Sequence, residues 1–334
     1  MPSISIVVPV HNGGESFRQC LAGLDRARFT FDELIVVADG DTDGSWRIAE
    51  QWGARVIRLP QAGGPARARN RGAQIAKGDV LFFVDADVYV PPEAVKQVAD
   101  TFKQEPELAA LIGSYDDAPG ASNFLSQYRN LLHHYTHQTA CADASTFWGA
   151  CGAIRRDVFM AIEGFDESYR YPSIEDIELG YRLKSHGYHI RLDRRIQVKH
   201  LKYWQAKSML KADFFYRALP WTELILRKSG LINDLNLKTS SRISVVLAYA
   251  SIVLFIFSLA GALNGHISGL VLAVVCLTAV AALFSINLPV YRFFWRKRGK
   301  RFAARVVPWH CLYYLYSGLA FAIGWLRYRM RLSS

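Results

Sequence analysis

Along the first two hundred residues, short apolar runs alternate with longer amphipathic stretches. Residues 4–8 form a mostly β-branched run that stops at Pro9-Val10-His11-Asn12-Gly13-Gly14, a loop signature. A helical stretch follows to about Asp25. Residues 33–38 predict a second strand, broken by Asp39-Gly40-Asp41-Thr42-Asp43-Gly44, and another helix runs to Trp52. Residues 55–59 predict a third strand, after which Gly63-Gly64-Pro65 opens a helix over 66–76. Residues 80–84 are apolar without a break, the mark of a strand covered on both faces. This alternation predicts an α/β fold, a mostly parallel sheet with flanking helices. Such sheets bind ligands beyond the carboxyl ends of their strands, where Asp39, Asp85 and Asp87 fall.

The pattern changes near residue 205. Residues 208–227 mix Phe, Tyr, Trp and Leu with Lys and Arg, which reads as one or two helices at a membrane interface, interrupted at Pro220. A surface helix packed on the first domain is the alternative. Residues 243–263 and 267–290 carry no charge, and each is long enough to cross a bilayer, which needs about 20 apolar residues. Asn264-Gly265-His266 joins them as a helical hairpin. Residues 306–326 form a third apolar stretch, containing His310 and several tyrosines. The expected organisation is a catalytic domain over 1–204, interfacial helices over 205–240 and a membrane region over 241–334.

Charge sharpens this picture. The chain has 334 residues, 51% of them hydrophobic, and a net charge of +11, room for one catalytic domain and an additional region. Much of the positive charge lies at Arg292, Arg296, Lys297, Arg298, Lys300, Arg301 and Arg305, beside the apolar stretches. That placement points to a membrane surface and away from nucleic acid. By the positive-inside rule the 292–305 loop is cytoplasmic, and the N-terminal domain with it, at a multi-pass inner-membrane location. If 306–326 also spans, Arg327, Arg329 and Arg331 fall on the outer side against that rule, so a re-entrant path stays open. The five cysteines are scattered and form no C-x-x-C pair, which excludes a disulfide framework or a zinc site and fits a reducing compartment. Residues 3–8 are too short, and lack the basic lead-in, for a signal peptide.

Asp85-Ala86-Asp87 follows the buried strand directly. Two carboxylates at such a strand end can face one divalent ion and its bound phosphates. Asp39 can accept from a nucleobase imide, or simply shape its Gly/Asp-rich turn. The helix at 66–76 opens A-R-A-R-N-R-G, and helix N-termini and arginines both suit a diphosphate. Arg69 is the choice for the inward residue, although spacing does not exclude Arg67 or Arg71. Glu175-Asp176 begins a predicted helix running to about Ser185, with Ser173 placed to cap it. These acids either complement the helix dipole or supply a general base for an acceptor hydroxyl. His200 follows a β-rich run and becomes a metal ligand only beside the aspartates.

In order, the segments I-S-I-V-V-P-V-H-N, L-I-V-V-A-D-G-D-T-D-G-S, G-G-P-A-R-A-R-N-R-G, G-D-V-L-F-F-V-D-A-D, G-A-C-G-A-I-R-R-D-V-F, G-F-D-E and I-E-D-I-E-L-G-Y-R-L resemble the family 2 glycosyltransferases, which have the GT-A fold. The resemblance covers roughly residues 3–204. It implies inverting transfer from a nucleotide-diphospho-sugar by one in-line displacement, assisted by Mn2+ or Mg2+. It also implies that Pro9, Val10 and Asp39 hold the nucleoside, that Arg69 lies by the donor, and that Asp85 and Asp87 handle the sugar-diphosphate and metal. Asp176 is then the base with Glu175 beside it, and His200 a further metal ligand. Ala38 stands before Asp39 where the family often has a second acid, and His11 where Tyr is frequent, which leaves the nucleobase open. The Q-x-x-R-W motif of processive synthases is absent, so single-sugar transfer is expected. The membrane hairpin points to a lipid or lipid-linked acceptor. A polyprenyl-phosphate acceptor would need no base, so Glu175-Asp176 counts against it. A dinucleotide-dependent oxidoreductase would need G-x-G-x-x-G after the first strand, which Asn12-Gly13-Gly14-Glu15 does not supply. A transporter is disfavoured by the few spans and the absence of intramembrane charge.

Overall fold

The computed structural model describes residues 2–227 and 234–333. In chain order the first elements are β1 (Ile4–Val10), α1 (Gly14–Arg26), β2 (Glu33–Asp39), α2 (Ser45–Gln51), β3 (Arg55–Leu59), α3 (Pro65–Ile75), β4 (Val80–Val84) and β5 (Val88–Tyr89). Then come α4 (Pro92–Gln104), β6 (Ala110–Tyr115), α5 (Phe124–Thr139), β7 (Cys151–Arg155), α6 (Arg156–Ala161), α7 (Glu175–Ser185), β8 (Ile190–His200) and α8 (Ala206–Lys211). The chain divides into two compact units, Met1–Ala212 and Asp213–Ser334, so the first unit runs beyond residue 204.

The first unit is built on one sheet in the order β3-β2-β1-β4-β7-β6-β8-β5. β3, β2, β1 and β4 run parallel, as β-α-β alternation demands. Every residue of β4 is buried, which accounts for its unbroken apolar run: β1 lies on one side, β7 on the other, and helices cover both faces. β7 is antiparallel to both β4 and β6, in the register Val84↔Cys151. That reversal brings the turn before Cys151 to the carboxyl end of β4. β6 is parallel to β8, and β8 ends with His200 opposite Val88 of β5. The core between sheet and helices includes Ile6, Val8, Phe17, Leu21, Val36, Phe82, Val95 and Leu111. Burying each such side chain contributes about 1.5–3 kcal/mol.

The second unit begins in a π-wound stretch, Ala212–Ala218, followed by α9 (Leu219–Arg227). Pro220 does not interrupt a helix here. The helical run continues through it from Ala206 to Arg227, and the irregularity lies in the π-wound residues just before it, which accommodate the missing N–H. Next come α10 (Thr239–Leu263), α11 (Ile267–Arg298) and α12 (Lys300–Ser333). Among the described residues these three helices are long and apolar enough to cross a membrane. α10 and α11 form the expected hairpin, and a Cβ at Gly269 would lie 2.4 Å from the backbone of Ala262, so the two backbones approach closely there. Asn287 of α11 binds all three helices together. Its Nδ2 donates to Ser244 Oγ of α10 at 2.9 Å, and its Oδ1 accepts from Tyr314 Oη of α12 at 2.6 Å. Such a buried amide fixes register between helices that apolar packing alone would let slide.

Candidate active site

The loops after β1 and β2 are tied to each other. Asn12, in the left-handed region at φ 52°, accepts through Oδ1 from Thr42 N–H at 2.8 Å and Asp43 N–H at 3.2 Å. In return Asp41 Oδ1 accepts from Asn12 N–H and Asp43 Oδ2 from Gly14 N–H. Asp39, only 4% exposed, closes this end of β2. Its carboxylate accepts from Gly63 N–H at 2.9 and 3.0 Å and from Gly64 N–H at 2.8 Å, so it shapes the loop that opens α3. Gly64 has φ 93°, and a Cβ there would meet Arg170 O at 2.4 Å, so no other residue fits. Val10 has its side chain in the core and pairs with Ala38 of β2, while Pro9 is partly buried in the strand.

Of the three arginines at the start of α3, Arg69 points inward. It is 4% exposed, and its Nη2 donates to Asp85 Oδ1 at 2.6 Å while Nη1 donates to Glu175 Oε1 at 2.9 Å. Burial would lower its proton affinity, but the charges of Asp85, Glu175 and Asp176 outweigh burial and raise it. Arg69 therefore does not stand open to a diphosphate, as its sequence position suggested. It fastens the end of β4 to the start of α7. Gly149 makes room for it, since a Cβ there would lie 2.8 Å from Arg69 Cζ.

The two acids of α7 differ. Glu175 is buried, and its second oxygen accepts from Ser173 N–H at 2.9 Å, so both oxygens are engaged. Ser173 is not the side-chain cap expected, because Ile174 occupies the cap position. Asp176 is partly exposed. Its Oδ2 accepts from Gly149 N–H at 3.1 Å. Burial, then the neighbouring charge of Glu175, pushes its carboxyl up to about 7 against the opposing pull of Gly149 N–H and Arg69.

Asp87 Oδ2 lies 3.9 Å from His200 Nε2 and 3.6 Å from Lys202 Nζ. His200 is stacked on Tyr115, ring centroids 4.3 Å apart. Asp85 is turned to Arg69, so the three-ligand set of Asp85, Asp87 and His200 is not assembled. Among the described residues no group of three or more His, Cys, Asp or Glu converges as a cation site. A carboxylate and an imidazole remain, and two protein donors suit a divalent ion whose other positions belong to diphosphate oxygens and water.

Residues 5–163 match the family model described as Glycosyl transferase family 2. That stretch of the chain is a glycosyl transferase family 2 domain. A relative described as "Uncharacterized glycosyltransferase YibD", from Escherichia coli (strain K12), is 37% identical over 94 residues, 27% of this chain and 27% of that protein. Glycosyltransferase GlyG of Streptococcus pneumoniae is 29% identical over 145 residues, 42% of this chain and 46% of that protein. The chain thus spans less than half the length of these relatives. Among solved structures, mannosyltransferase PcManGT from Pyrobaculum calidifontis, in complex with GDP-Man and Mn2+, matches 96% of this chain and 87% of its own, with a TM-score of 0.63 and 14% identity. At that identity the likeness is one of fold, and the fold is GT-A.

In this family 2 domain the site contains residues that sequence reasoning passed over. Lys202 stands two places after His200, and its charge beside a candidate metal-binding acid was there to be noticed. Gly149 belongs to a family segment, but its N–H bond to Asp176 joins residues 27 apart. Tyr115 and Trp148, edge to face with ring centroids 4.7 Å apart, carry no local signal, because strand-end aromatics are common in cores.

Proposed function

We propose that this chain moves a single sugar from a nucleotide-diphospho-sugar to a hydroxyl of a lipid or lipid-linked acceptor, with inversion, at the cytoplasmic face of a membrane. The observation that carries this reading is the grouping of Asp176, with its proton affinity near neutrality, and Asp87 at one end of the sheet, with Arg69 holding their elements together. The nucleoside lies over the tied loops at Pro9, Val10 and Asp39, and the diphosphate lies toward Asp87. Asp176 takes the proton of the acceptor hydroxyl as its oxygen bonds to the anomeric carbon, while the bond to the diphosphate breaks on the opposite face. Lys202 offers charge to the departing diphosphate. Mn2+ or Mg2+, held by Asp87 and His200, would supply further positive charge against that leaving group. The GDP-Man and Mn2+ in the Pyrobaculum enzyme support the choice of donor class and ion. The raised carboxyl of Asp176 favours a neutral hydroxyl over a phosphate acceptor, which would need no base. The apolar helices support a membrane location and a lipidic acceptor, and the basic residues flanking α11 and α12 support the cytoplasmic face.

Purified full-length protein in detergent, screened against uridine- and guanosine-diphospho-sugars with Mn2+ or Mg2+, tests the reading. One donor should bind and turn over, excess chelator should stop turnover, and Asp87→Ala should lower it by about 10²-fold or more, the usual range for charge stabilisation of a leaving group. Full activity in chelator or in Asp87→Ala would remove the metal from the scheme. Failure of every nucleotide-sugar to bind would remove the function.

A further inference from the structure

Between the pair Asp87–His200 and the acid Asp176 runs a wall of aromatic rings. His200 stacks face to face on Tyr115 at 4.3 Å, with the planes 14° apart. Tyr115 meets Trp148 edge to face at 4.7 Å. Trp148 is also held by His133 at 4.8 Å and His137 at 5.1 Å. The next residue, Gly149, donates its N–H to Asp176. Trp148 is thus one peptide from the group that holds the candidate base. It is partly exposed, and among the described residues its indole N–H has no hydrogen-bond partner. An indole so placed, one residue from the contact to Asp176, offers part of an apolar ring and one donor. Arg69 is buried between two carboxylates, and Lys202 lies at Asp87, where the diphosphate is placed.

Taking the site as the transfer centre proposed above, we propose that Trp148 is the platform of an acceptor subsite and that its occupant is a sugar ring, so that the acceptor is a glycan end and not a lipid phosphate. A pyranose has one face of C–H groups that packs on an aromatic plane, and hydroxyls at its rim that accept from an indole N–H. Seated there, its reactive hydroxyl lies toward Asp176. A phosphate would meet an aromatic wall and, at Asp176, a carboxylate. The rings behind Trp148 hold it in one orientation, which spares a ligand the cost of ordering it.

The experiment uses full-length protein with nucleoside diphosphate and Mn2+ present. Binding of a panel of short alkyl glycosides, and of farnesyl phosphate, is followed by saturation-transfer NMR on wild type, Trp148→Ala and Trp148→Phe. At least one glycoside should bind wild type, at least tenfold more weakly to Trp148→Ala, and with most of the affinity restored in Trp148→Phe. Nucleotide affinity measured alongside should stay within about twofold in both variants, which separates a lost subsite from a lost fold. The proposal is overturned if no glycoside binds, if glycoside binding is indifferent to Trp148→Ala, or if farnesyl phosphate binds in its place. Loss of nucleotide binding by wild type would instead strike the transfer reading itself.

Discussion

Burial and the charge of the adjacent Glu175 both push the Asp176 carboxyl up, to about 7. Asp176→Asn keeps the shape and the bond from Gly149 but cannot accept a proton. Transfer should fall by about 10²–10⁴, in kcat more than in donor KM, with donor affinity kept. In wild type, transfer should rise with pH up to about 7 and then level off. The same shift acts on stability. From about pH 4 to 7 the folded state holds a proton that the unfolded chain has lost, so stability from this group declines as pH rises through that window. Asp176→Asn should therefore melt above wild type at pH 8, with the difference closing toward pH 4. A variant with normal transfer, or with no pH-dependent gain in melting temperature, would show that Asp176 is an ordinary carboxylate. The adjacent pair E-D was readable at this scale. Which acid is engaged by Arg69 and which is left to act was not, because Arg69 and Glu175 are 106 residues apart.

The elements bring these residues together by close backbone contact. α7 packs on the segment before β7 through Gly180, where an added Cβ would lie 2.2 Å from Phe147 N. Backbone cannot yield as a side-chain end can, so Gly180→Ala should push α7 away and carry Asp176 off Gly149. Overpacking of this kind costs about 1–3 kcal/mol, which is several degrees of melting temperature in a domain this size. Thermal melts and transfer rates of the folded variant check both effects, and unchanged values in each would show that the contact relaxes freely. Strand positions such as Val80–Val84 were legible because an unbroken apolar run reports burial on both faces. The antiparallel course of β7 was not, since a short apolar run carries no record of its direction or partner.

At the scale of the whole chain, the two units differ in the solvent they suit. Met1–Ala212 closes its own core, and the helices after Asp213 leave large apolar side chains such as Phe255, Ile256, Leu270 and Leu277 exposed. A chain of residues 1–212 should fold and bind nucleotide with near-normal affinity while no longer sedimenting with membranes. Circular dichroism, nucleotide titration and vesicle flotation measure this, and a folded fragment that binds no donor would show that the units work only as one. The sequence by itself determined where strands, helices and the apolar stretches lie, because each follows from local periodicity and from side chains that water will not accept. It also determined which acids end the strands, because the unbroken apolar runs stop where those acids stand. Only the tertiary structure decided that Arg69 is buried between Asp85 and Glu175, that Asp85 thereby leaves Asp87 with His200 and Lys202, and that Gly149, next to Trp148 in the chain, bonds Asp176. The physical reason is the same throughout: charge pairing, proton affinity and ring packing depend on distance in space, and residues remote in the chain become neighbours only when the sheet has formed.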